Sequence, residues 1–565
     1  MPILSILIST LLSATSITIT EPVDGESYDG DWLTIRAIVE NENTIPDSVH
    51  YSLNGEPVIG IPRLNTDWYT YMANDCRTGF SESPAPHDNS ILWTAPVSGT
   101  NHEFVSPVVV DGRVYYASEE DEIAYCLDAA TGTEIWRLEN IGDAIDDAMH
   151  VDDGEVYFAS DSIWCLNILT GEKIWTFGDS SNFFSGPPVP YQGYVFVSSA
   201  NFVHCLHRLT GEEIWRTDTL ITSCSMTAWN DMLFVAGNMA SDPSFYALDV
   251  ETGEVLWENM TGGHHDSSPA VVDSIIYIGT IWNGLIALDP FDGSGVNLWG
   301  AESERIIEST PAVHDEMIYF GSSDTVYALN RFSSLVEWKF ILPNEDYLLH
   351  ASAGIADGLV FWGDIYSCGL PPDSIALIHA VDCQTGIEIW NYTIESFRGI
   401  FSSPAIVDGV MYIAATDGNL YAFGTGLKYT YLDDLYSNVG SNELIVTSYH
   451  GGVAVAADTI SFTVTETGIN LKPSYLFGVS ASPNPFTTST SISFELTDTC
   501  EASVEIFDLS GRIVSTLANH EITAGSQSIL WNGTNQNGDL VSAGLYLCRI
   551  QSGSFTETIG LCLLR

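Results

Sequence analysis

Carboxylates and imidazoles recur at a fixed distance from a repeated turn in this sequence. Seven residues before the Asp, or its equivalent, of each Asp-Gly-type turn stand Phe104, Asp146, Ser185, Ser223, Asp266, Glu308, His350 and Phe401. Next to them lie His102, Glu103, His264 and His265. Carboxylate oxygens and imidazole nitrogens bind divalent cations, and they also bind cationic groups and sugars. If these positions converge, we predict a ligand site whose polar residues are His102, Asp146, His265, Asp266, Glu308 and His350.

The same residues also have a simpler explanation. The chain has 74 Asp and Glu against 17 Lys and Arg, a net charge of -57, so any set of its loops will include carboxylates. Polar side chains would then only line a wet channel. The adjacent His264 and His265 point to opposite sides of an extended loop and so are poor joint ligands. We therefore assign no metal-ligand set, and calcium remains a candidate ligand.

A repeat of about 40 residues must position these side chains. Each unit begins with Ser-Pro or Thr-Pro and continues with an Asp-Gly-type turn and an apolar strand. A Leu-Asp pair, a Thr-Gly turn and an Ile-Trp ending follow, and residues 246–257 are one copy of this last part. Four short strands joined by tight turns leave no room for a helix, which predicts a propeller blade. Loops leading into the innermost strands of a propeller surround the mouth of its central channel. We therefore expect the candidate residues to meet at that mouth.

The tryptophans at the ends of the units predict the number of blades. They are Trp93, Trp136, Trp175, Trp215, Trp257, Trp299, Trp338 and Trp390. The eighth unit stops at residues 421–424 without a tryptophan, and the strand near residues 90–95 fits that gap. We predict an all-β, eight-bladed propeller that this early strand closes, removing an open sheet edge. Two units depart from the pattern, with an insertion at 292–295 and no turn glycine at 333–334.

The residues Ala247, Asp249, Thr252, Gly253 and Trp257 resemble the tryptophan-docking repeat of pyrroloquinoline-quinone (PQQ)-type propellers. Residues 67–81 resemble the segment that often leads into such propellers, and the resemblance covers about residues 67–426. It implies that the eight tryptophans are structural and pack between adjacent blades.

The resemblance to this family does not by itself imply a cofactor. In quinone-dependent dehydrogenases it would imply a vicinal cysteine pair, a calcium site, a catalytic Asp and often a haem domain. This sequence has no adjacent cysteines and no Cys-x-x-Cys-His haem motif. We therefore expect no cofactor and do not expect PQQ, and a quinone-dependent dehydrogenase is the least favoured function.

Hydrolase motifs are also missing from the sequence. It has no Gly-x-Ser-x-Gly, no His-Glu-x-x-His and no phosphate-binding glycine loop, so we assign no catalytic residue. A propeller glycosidase or lyase takes its carboxylates from separate blades and needs no local motif. That class is the enzyme alternative, with Asp146, Asp266 and Glu308 as its candidate residues.

The segments around the propeller predict two further domains. Residues 1–16 are typical of the apolar part of a secretory signal peptide, truncated at its basic start because the first cation is Arg36. Residues 17–66 offer only about three sandwich strands, too few for a stable domain. Residues 427–470 offer the complementary strands. We predict one Ig-like sandwich split by the propeller, then a linker at 471–479.

The tail at 480–565 carries a second set of motifs. They are Asn484-Pro485-Phe486, residues 506–512, Ala524-Gly525, Trp531-Asn532-Gly533, Ala543-Gly544-Leu545-Tyr546 and the final Leu563-Leu564-Arg565. In this order they resemble the Ig-like C-terminal sorting domain of type IX secretion cargo, which is related to a domain of flagellar hook-capping proteins. The resemblance implies export across the outer membrane by the secretion machinery. Gly560 stands where the family usually has a lysine.

These features together favour a non-catalytic binding or scaffold propeller that is secreted or held at the cell surface. The analogy is to the non-catalytic propeller of the outer-membrane protein assembly lipoprotein. An unidentified protein or glycan would be its ligand. Nucleic acid and anionic membranes are excluded as partners because they require basic patches. Beyond residues 1–16 no stretch is long and apolar enough to span a membrane.

Overall fold

A computed structural model of the protein describes residues 16–21, 27–29, 32–41, 48–53, 56–58, 66–97, 105–118, 121–142, 148–178, 184–199, 202–217, 226–237, 245–261, 267–281, 283–298, 307, 309–342, 347–349, 351–366, 375–395, 399–436, 440–450, 453–465, 476–482, 486, 488–496, 500–507, 513–523, 525–536, 540–541, 544–552 and 555–563. The all-β prediction is confirmed, because none of these residues is helical. None of them belongs to a helix that could cross a membrane.

Eight sheets, numbered first to eighth, follow one another along the described chain and form a propeller. Each has four antiparallel strands, and the seventh also includes Phe80–Ser81, which pairs in parallel with Gly354–Ala356. Their strands are Val108–Val110, Arg113–Ser118, Ile123–Asp128 and Glu134–Glu139 (first); His150–Asp152, Glu155–Ala159, Ile163–Asn167 and Lys173–Phe177 (second); Phe184–Tyr191, Tyr194–Ser199, Phe202–His207 and Glu213–Arg216 (third); Thr227–Trp229, Met232–Ala236, Phe245–Asp249 and Val255–Asn259 (fourth); Ala270–Val272, Ile275–Thr280, Gly284–Leu288 and Gly295–Leu298 (fifth); Ala312–His314, Met317–Ser322, Thr325–Asn330 and Val336–Ile341 (sixth); Gly354–Ala356, Leu359–Gly363, Ile375–Asp382 and Glu388–Glu395 (seventh); and Ala405–Val407, Val410–Ala415, Asn419–Phe423 and Ile91–Pro96 (eighth). A short pair, Tyr347–Leu348 with Ile365–Tyr366, lies outside them.

The fourth sheet shows why the repeat folds in this way. Asn230 and Asp231 both have positive φ, 50° and 60°, which is the backbone of the tight hairpin turn between the first two strands. At the outer turn, one carboxylate oxygen of Asp249 accepts hydrogen bonds from the amide and hydroxyl of Thr252. The strand Met232–Ala236 is buried along its whole length, whereas Val255–Asn259 is largely exposed. Neighbouring sheets therefore cover the inner strands, and the outer strand faces solvent.

The eighth sheet joins the two ends of the propeller. Its first three strands come from residues 405–423, and its outer strand Ile91–Pro96 comes from the front of the chain. Trp93 pairs with Ala422 in this ladder. The edge of Asn419–Phe423 is thereby covered, as the sequence predicted.

Residue contacts divide the chain into two compact units. The first comprises Met1–Glu26, Leu33–Leu435 and Ser441–Phe462, and the second comprises Ser27–Trp32, Tyr436–Gly440 and Thr463–Arg565. In the first unit, strands from both sides of the propeller share sheets. Ser16–Glu21, Trp32–Asn41 and Leu427–Tyr436 form one, and Glu56–Val58, Ser48–Leu53, Gly440–His450 and Val453–Thr465 adjoin in another.

The second unit contains a sandwich built from the C-terminal motifs. One sheet contains Leu476–Ser482, Thr490–Leu496 and Gly525–Trp531, and the other contains Ile513–Ile522, Cys500–Phe507, Gly544–Ser552 and Phe555–Leu563. Trp531 is fully buried, with its ring centroid 5.5 Å from that of Phe486 and 5.2 Å from that of Tyr546. Three motifs of the tail thus meet in one core. Ser27–Asp29 pairs in parallel with residues 463–465 of the same unit.

Candidate functional site

The six polar residues predicted at the channel mouth, His102, Asp146, His265, Asp266, Glu308 and His350, lie outside the described residues. Each stands in a segment between the outer strand of one sheet and the inner strand of the next. Of the eight aligned positions, only Ser185, which pairs with Ser198, and the half-buried Phe401 are described. The mouth site therefore remains a prediction from the sequence.

Seven of the eight predicted docking tryptophans lie within the described residues, and each of them donates a hydrogen bond to the following repeat. The indole N–H of Trp93 donates to the carbonyl oxygen of Ala129 at 2.8 Å, and the equivalent pairs are Trp136 to Ile168, Trp175 to Arg208, Trp215 to Val250, Trp257 to Pro290, Trp338 to Cys383 and Trp390 to Pro86. Each of these tryptophans is paired, within its own sheet, with a residue of the neighbouring strand, such as Cys126 opposite Trp136 or Ala247 opposite Trp257. The seams between neighbouring sheets are thus fastened at seven places.

The register differs at the fifth sheet. There Asn297, not Trp299, stands opposite Ala287, the position that Trp257 takes opposite Ala247 in the fourth sheet. The two residues that the insertion at 292–295 adds place Asn297, and not Trp299, at this register position, and the docking of Trp299 stays a prediction. Trp299 itself lies outside the described residues.

The seam after the fifth sheet has a different fastening. The guanidinium of Arg331, on the outer turn of the sixth sheet, donates to Asp273 on the hairpin of the fifth. Arg331 is buried, with 6% of its side chain exposed. The ion pair joins the fifth and sixth sheets at the seam where Asn297 stands in the register position of a docking tryptophan.

Residues 66–84, called the lead-in segment below, bond to one sheet after another. Their backbone meets the inner part of six sheets: Trp68 with Val109, Tyr69 with Val151, Cys76 with Val271, Thr78 with Val313, Gly79 with Ile355 and Pro84 with Gly409. The segment therefore follows the inner edges of these sheets and joins them through its own backbone. The sequence of residues 67–81 resembles the lead-in of PQQ-type propellers, but it does not predict these contacts.

Arg77 is the deepest cation of the lead-in segment, with 1% of its surface exposed. Its guanidinium donates to the hydroxyl of Thr70 and the carbonyl of Tyr71, both at 2.8 Å, and to the carbonyl of Met226 on the fourth sheet at 3.3 Å. Buried charge is costly unless hydrogen bonds replace water. The bond to Met226 ties the lead-in segment to the fourth sheet, which is one of the two sheets, with the third, that its backbone contacts leave out.

The Ser-Pro and Thr-Pro starts form a chain of bonds between sheets. The amide of Ser268 donates to the Thr310 hydroxyl, the amide of Thr310 to Ser352, that of Ser352 to Ser403 and that of Ser403 to Ser106, at 2.8–2.9 Å. The last link joins the eighth sheet to the first. These hydroxyls satisfy buried amides at the start of each inner strand, so their role in the described structure is fastening, not chemistry.

A carboxylate of the lead-in segment sits among titratable groups. Asp75 Oδ1 lies 3.6 Å from Nε2 of the buried His150, and the Asp75 amide donates to the Tyr69 hydroxyl. Burial, with Arg77 and Arg208 nearby, holds the pKa of His150 well below its ordinary value, so the imidazole is neutral. Burial raises the pKa of Asp75, and burial beside Asp75 raises the pKa of Tyr69 to about 12.

A second titratable group lies within the seventh sheet. His379 Nδ1 is 2.8 Å from Glu388 and its Nε2 is 3.5 Å from the fully buried Asp364. The ring stacks on Trp362. The third sheet has a similar pair, His204 with Glu213 at 2.7 Å, in which a serine hydroxyl replaces the second carboxylate.

Comparisons with known proteins agree with this architecture. Residues 84–183, 159–294 and 246–469 match, in overlapping stretches, the PQQ_2 family model described as outer membrane protein assembly factor BamB. Residues 480–554 match a model described as FlgD Ig-like domain. The resemblance to a PQQ-type repeat propeller with an Ig-like tail is confirmed at this level.

Individual relatives are distant. The assembly factor BamB of Salmonella typhimurium is 26% identical over 364 residues, which cover 59% of this chain and 88% of that protein. Tetrathionate hydrolase of Acidithiobacillus ferrooxidans is 23% identical over 386 residues, covering 58% and 74%. Quinohemoprotein alcohol dehydrogenase from Comamonas testosteroni superposes with a TM-score of 0.50 at 16% identity, covering 64% and 81%. Its likeness shows the propeller fold alone.

Proposed function

This chain belongs to the PQQ_2 family, described as outer membrane protein assembly factor BamB, across residues 84–469, and from that premise we propose that it is a non-catalytic binding or scaffold propeller. The lead-in segment carries the proposal, because its backbone bonds to six of the eight sheets and its Arg77 bonds to the fourth sheet as well. Sheets that are joined through one shared segment offer a pre-organised surface, which lowers the entropy cost of binding a partner.

We further propose that the partner is met outside the cell. The Ig-like match at 480–554 and the motifs of the tail support a sorting role for residues 480–565. Residues 1–16 would direct the first step of export. The protein would then be released or held at the cell surface, and the secretion machinery would be its transient partner.

Export is tested in a bacterium with a type IX system. The full chain, a chain ending at residue 479 and a full chain with Gly560→Lys are expressed, and each is quantified in medium, on the surface and in the periplasm. We expect the full chain outside the cell and the shortened chain in the periplasm. Gly560→Lys restores the usual lysine and should raise the exported fraction. Equal distribution of the full and shortened chains would contradict the sorting role.

The enzyme alternative is a carbohydrate-active propeller, and one experiment separates it from the scaffold role. The full chain is incubated with a glycan panel, and both bound glycan and new reducing ends are measured. The proposal predicts binding without cleavage. Cleavage that is lost in Asp266→Asn and Glu308→Gln, but kept in the surface variant Glu251→Gln, would make the protein an enzyme with carboxylates at the mouth.

Cofactor dependence is tested on the same sample. A ligand that binds only the folded state raises the melting temperature. PQQ should leave the melting temperature and the visible absorbance unchanged. A calcium-induced rise that disappears in Asp266→Asn would add calcium as a structural ligand at the mouth without making the protein an oxidoreductase.

A further inference from the structure

Two exposed phenylalanines take the same position of the repeat, on the outer turns of the fifth and sixth sheets. Phe291 and Phe332 expose 61% and 64% of their surface, and the amide of each donates to the side-chain oxygen of the residue two places before it. On the fourth sheet, the half-buried Trp229 packs edge-on against Phe291, with ring centroids 5.9 Å apart. Single apolar side chains on a surface need no explanation, whereas contiguous ones mark contact sites.

Contacts connect these rings to one cavity of about 450 Å³. Trp229 lines the cavity on the side of the fourth sheet, and Asp273 lines it on the side of the fifth. The carboxylate of Asp273 pairs with Arg331, whose guanidinium lies over the ring of Phe332, 4.7 Å from its centroid. Phe291 is therefore joined to the cavity through Trp229, and Phe332 is joined to it through the ion pair. These five residues are called the aromatic surface below.

The turns that carry and flank the aromatic surface are strongly acidic. They are the hairpins 230–231, 273–274 and 315–316 and the outer turns 249–254, 289–294 and 330–335 of the fourth, fifth and sixth sheets, and the structure describes all of them. Within these turns the single cation is Arg331, which is buried and already paired with Asp273. The remaining charged residues are Asp231, Asp249, Glu251, Glu254, Asp289, Asp292, Asp315 and Glu316. Charge complementarity therefore favours a cationic partner and opposes a second copy of this chain, whose net charge is -57.

We propose that the aromatic surface binds a cationic segment of a partner protein, with an apolar side chain of that segment in the cavity and its lysines or arginines facing the acidic turns. Aromatic rings beside a cavity supply the apolar anchor points that dominate the energy of an interface, and the surrounding carboxylates speed the encounter. The predicted mouth is separate, because its residues precede the inner strands, whereas Trp229 ends one inner strand and Asp273 follows another. The inference rests on the binding role proposed above and adds a surface and a partner chemistry to it.

Calorimetric titration of the full chain tests the proposal with three capped hexapeptides. One alternates lysine and phenylalanine, one alternates lysine and serine, and one alternates glutamate and phenylalanine. We expect saturable 1:1 binding of the lysine–phenylalanine peptide, binding of the lysine–serine peptide that is weaker by roughly tenfold or more, and no saturable binding of the glutamate–phenylalanine peptide. Equal affinity for the two lysine peptides would show that charge alone attracts them and would overturn the role of the aromatic surface.

Variants at one position of the repeat locate the surface. Phe291→Ser and Phe332→Ser should each weaken binding of the lysine–phenylalanine peptide by roughly fivefold or more. Leu169→Ser is the matched control and should leave the affinity unchanged, because Leu169 takes the same position on the outer turn of the second sheet and is 58% exposed. All three side chains are exposed, so an unchanged melting temperature should show that each variant folds. Unchanged affinity in both phenylalanine variants, or an equal loss in Leu169→Ser, would refute the site.

The same variants separate this partner from a second copy of the chain. Sedimentation without peptide should show a monomer for the natural chain and for Phe291→Ser alike. A dimer that Phe291→Ser dissociates would show that a second copy covers the aromatic surface, and it would overturn the proposal. The two proposals also fail separately, because glycan cleavage would refute the non-catalytic role alone, whereas loss of the difference between the peptides would refute this surface alone.

Discussion

The Cβ atom that Gly253 lacks would stand 2.6 Å from Cε3 of Trp215, on the preceding sheet. The same approach recurs at Gly132, Gly171, Gly211, Gly293 and Gly386, each under the tryptophan of the sheet before it. These glycines also have φ near 70°, a region that residues with a Cβ enter at a cost. The turn glycine is therefore needed for two reasons, its positive φ and the lack of a Cβ under the indole, and mutations can separate the two.

Gly253→Ala should destabilise the propeller more than Gly112→Ala. Gly112 has a φ of 69° but no atom within 4 Å of the missing Cβ, so alanine there costs only the left-handed backbone, about 1–2 kcal/mol. Gly253→Ala adds a clash with an indole ring, typically another ~1–3 kcal/mol. Urea unfolding followed by tryptophan fluorescence measures both. Equal losses of unfolding free energy in the two variants would show that the Trp215 ring moves aside at no free-energy cost.

At the seam between the fifth and sixth sheets, the tryptophan and the turn glycine can be introduced instead of removed. Asn297 takes the tryptophan register, and Ser334, with a φ of 61°, takes the place of the turn glycine. The turn carries a side chain at the seam where the register position holds Asn297. Asn297→Trp alone should therefore destabilise the protein by about 1–3 kcal/mol, the usual cost of overpacking.

Adding Ser334→Gly to that variant should recover the loss. A double-mutant cycle gives the coupling between the two substitutions, which we expect to be favourable by about 1 kcal/mol or more. Ser334→Gly in the natural background is the control and should change little beyond its backbone effect. Strict additivity would contradict the link between the two positions.

Arg77→Met should loosen the lead-in segment. The change removes three donors and leaves the Thr70 hydroxyl and the carbonyls of Tyr71 and Met226 to find other partners, at a cost of about 3 kcal/mol. Hydrogen exchange should rise at the amide of Val271, which the segment holds. Arg137→Met, at a half-exposed side chain of the first sheet, is the matched control. Unchanged exchange at Val271 would mean that backbone contacts alone retain the segment.

The acids around His379 predict a pH dependence of stability. Burial opposes the charged imidazole, but Asp364 and Glu388 outweigh it and raise the pKa of His379 above 6.5. Its stabilising contribution is therefore complete below pH 6.5 and is lost as the pH rises through the folded pKa. The hydrogen bond to His379 lowers the pKa of Glu388, whose contribution is present above pH 4.5 and is lost as the pH falls through its folded pKa.

Denaturation of the full chain and of His379→Gln checks this sign. The free energy lost in the variant should be larger at pH 5.5 than at pH 8.5. Glu395→Gln, at the exposed end of the strand that carries Glu388, should show no such difference. A loss that is independent of pH would mean that His379 acts through packing on Trp362 alone.

Local patterns carried much of the fold prediction, because turns and strands are set by neighbouring residues. Asp-Gly pairs marked hairpins correctly since both positions need positive φ. The fifth sheet shows the limit of such patterns: the letters Leu-Trp match the repeat, but two added residues shift the ladder, and Asn297 stands opposite Ala287. The contacts of residues 66–84 join positions hundreds of residues apart, and no short motif encodes them.

The candidate sites divide in the same way. Counting from turns gave equivalent loop positions, such as Asp266 and Glu308, but spacing cannot say how side chains converge. Asp75 lies inside the recognised lead-in pattern, yet no motif places its Oδ1 3.6 Å from Nε2 of the buried His150. Such a property exists only once distant segments pack together.

The hydrogen bond from the Thr66 hydroxyl to Asp408 spans 342 residues and has a consequence for the order of folding. The lead-in segment and Ile91–Pro96 leave the ribosome early, but their partners in the eighth sheet, within residues 405–423, are the last part of the propeller to be synthesised. Until then both ends of the growing sheet series present unpaired backbone, a known hazard for aggregation. Partial chains should thus depend on chaperones, and the propeller should reach protease resistance in a single late step rather than sheet by sheet.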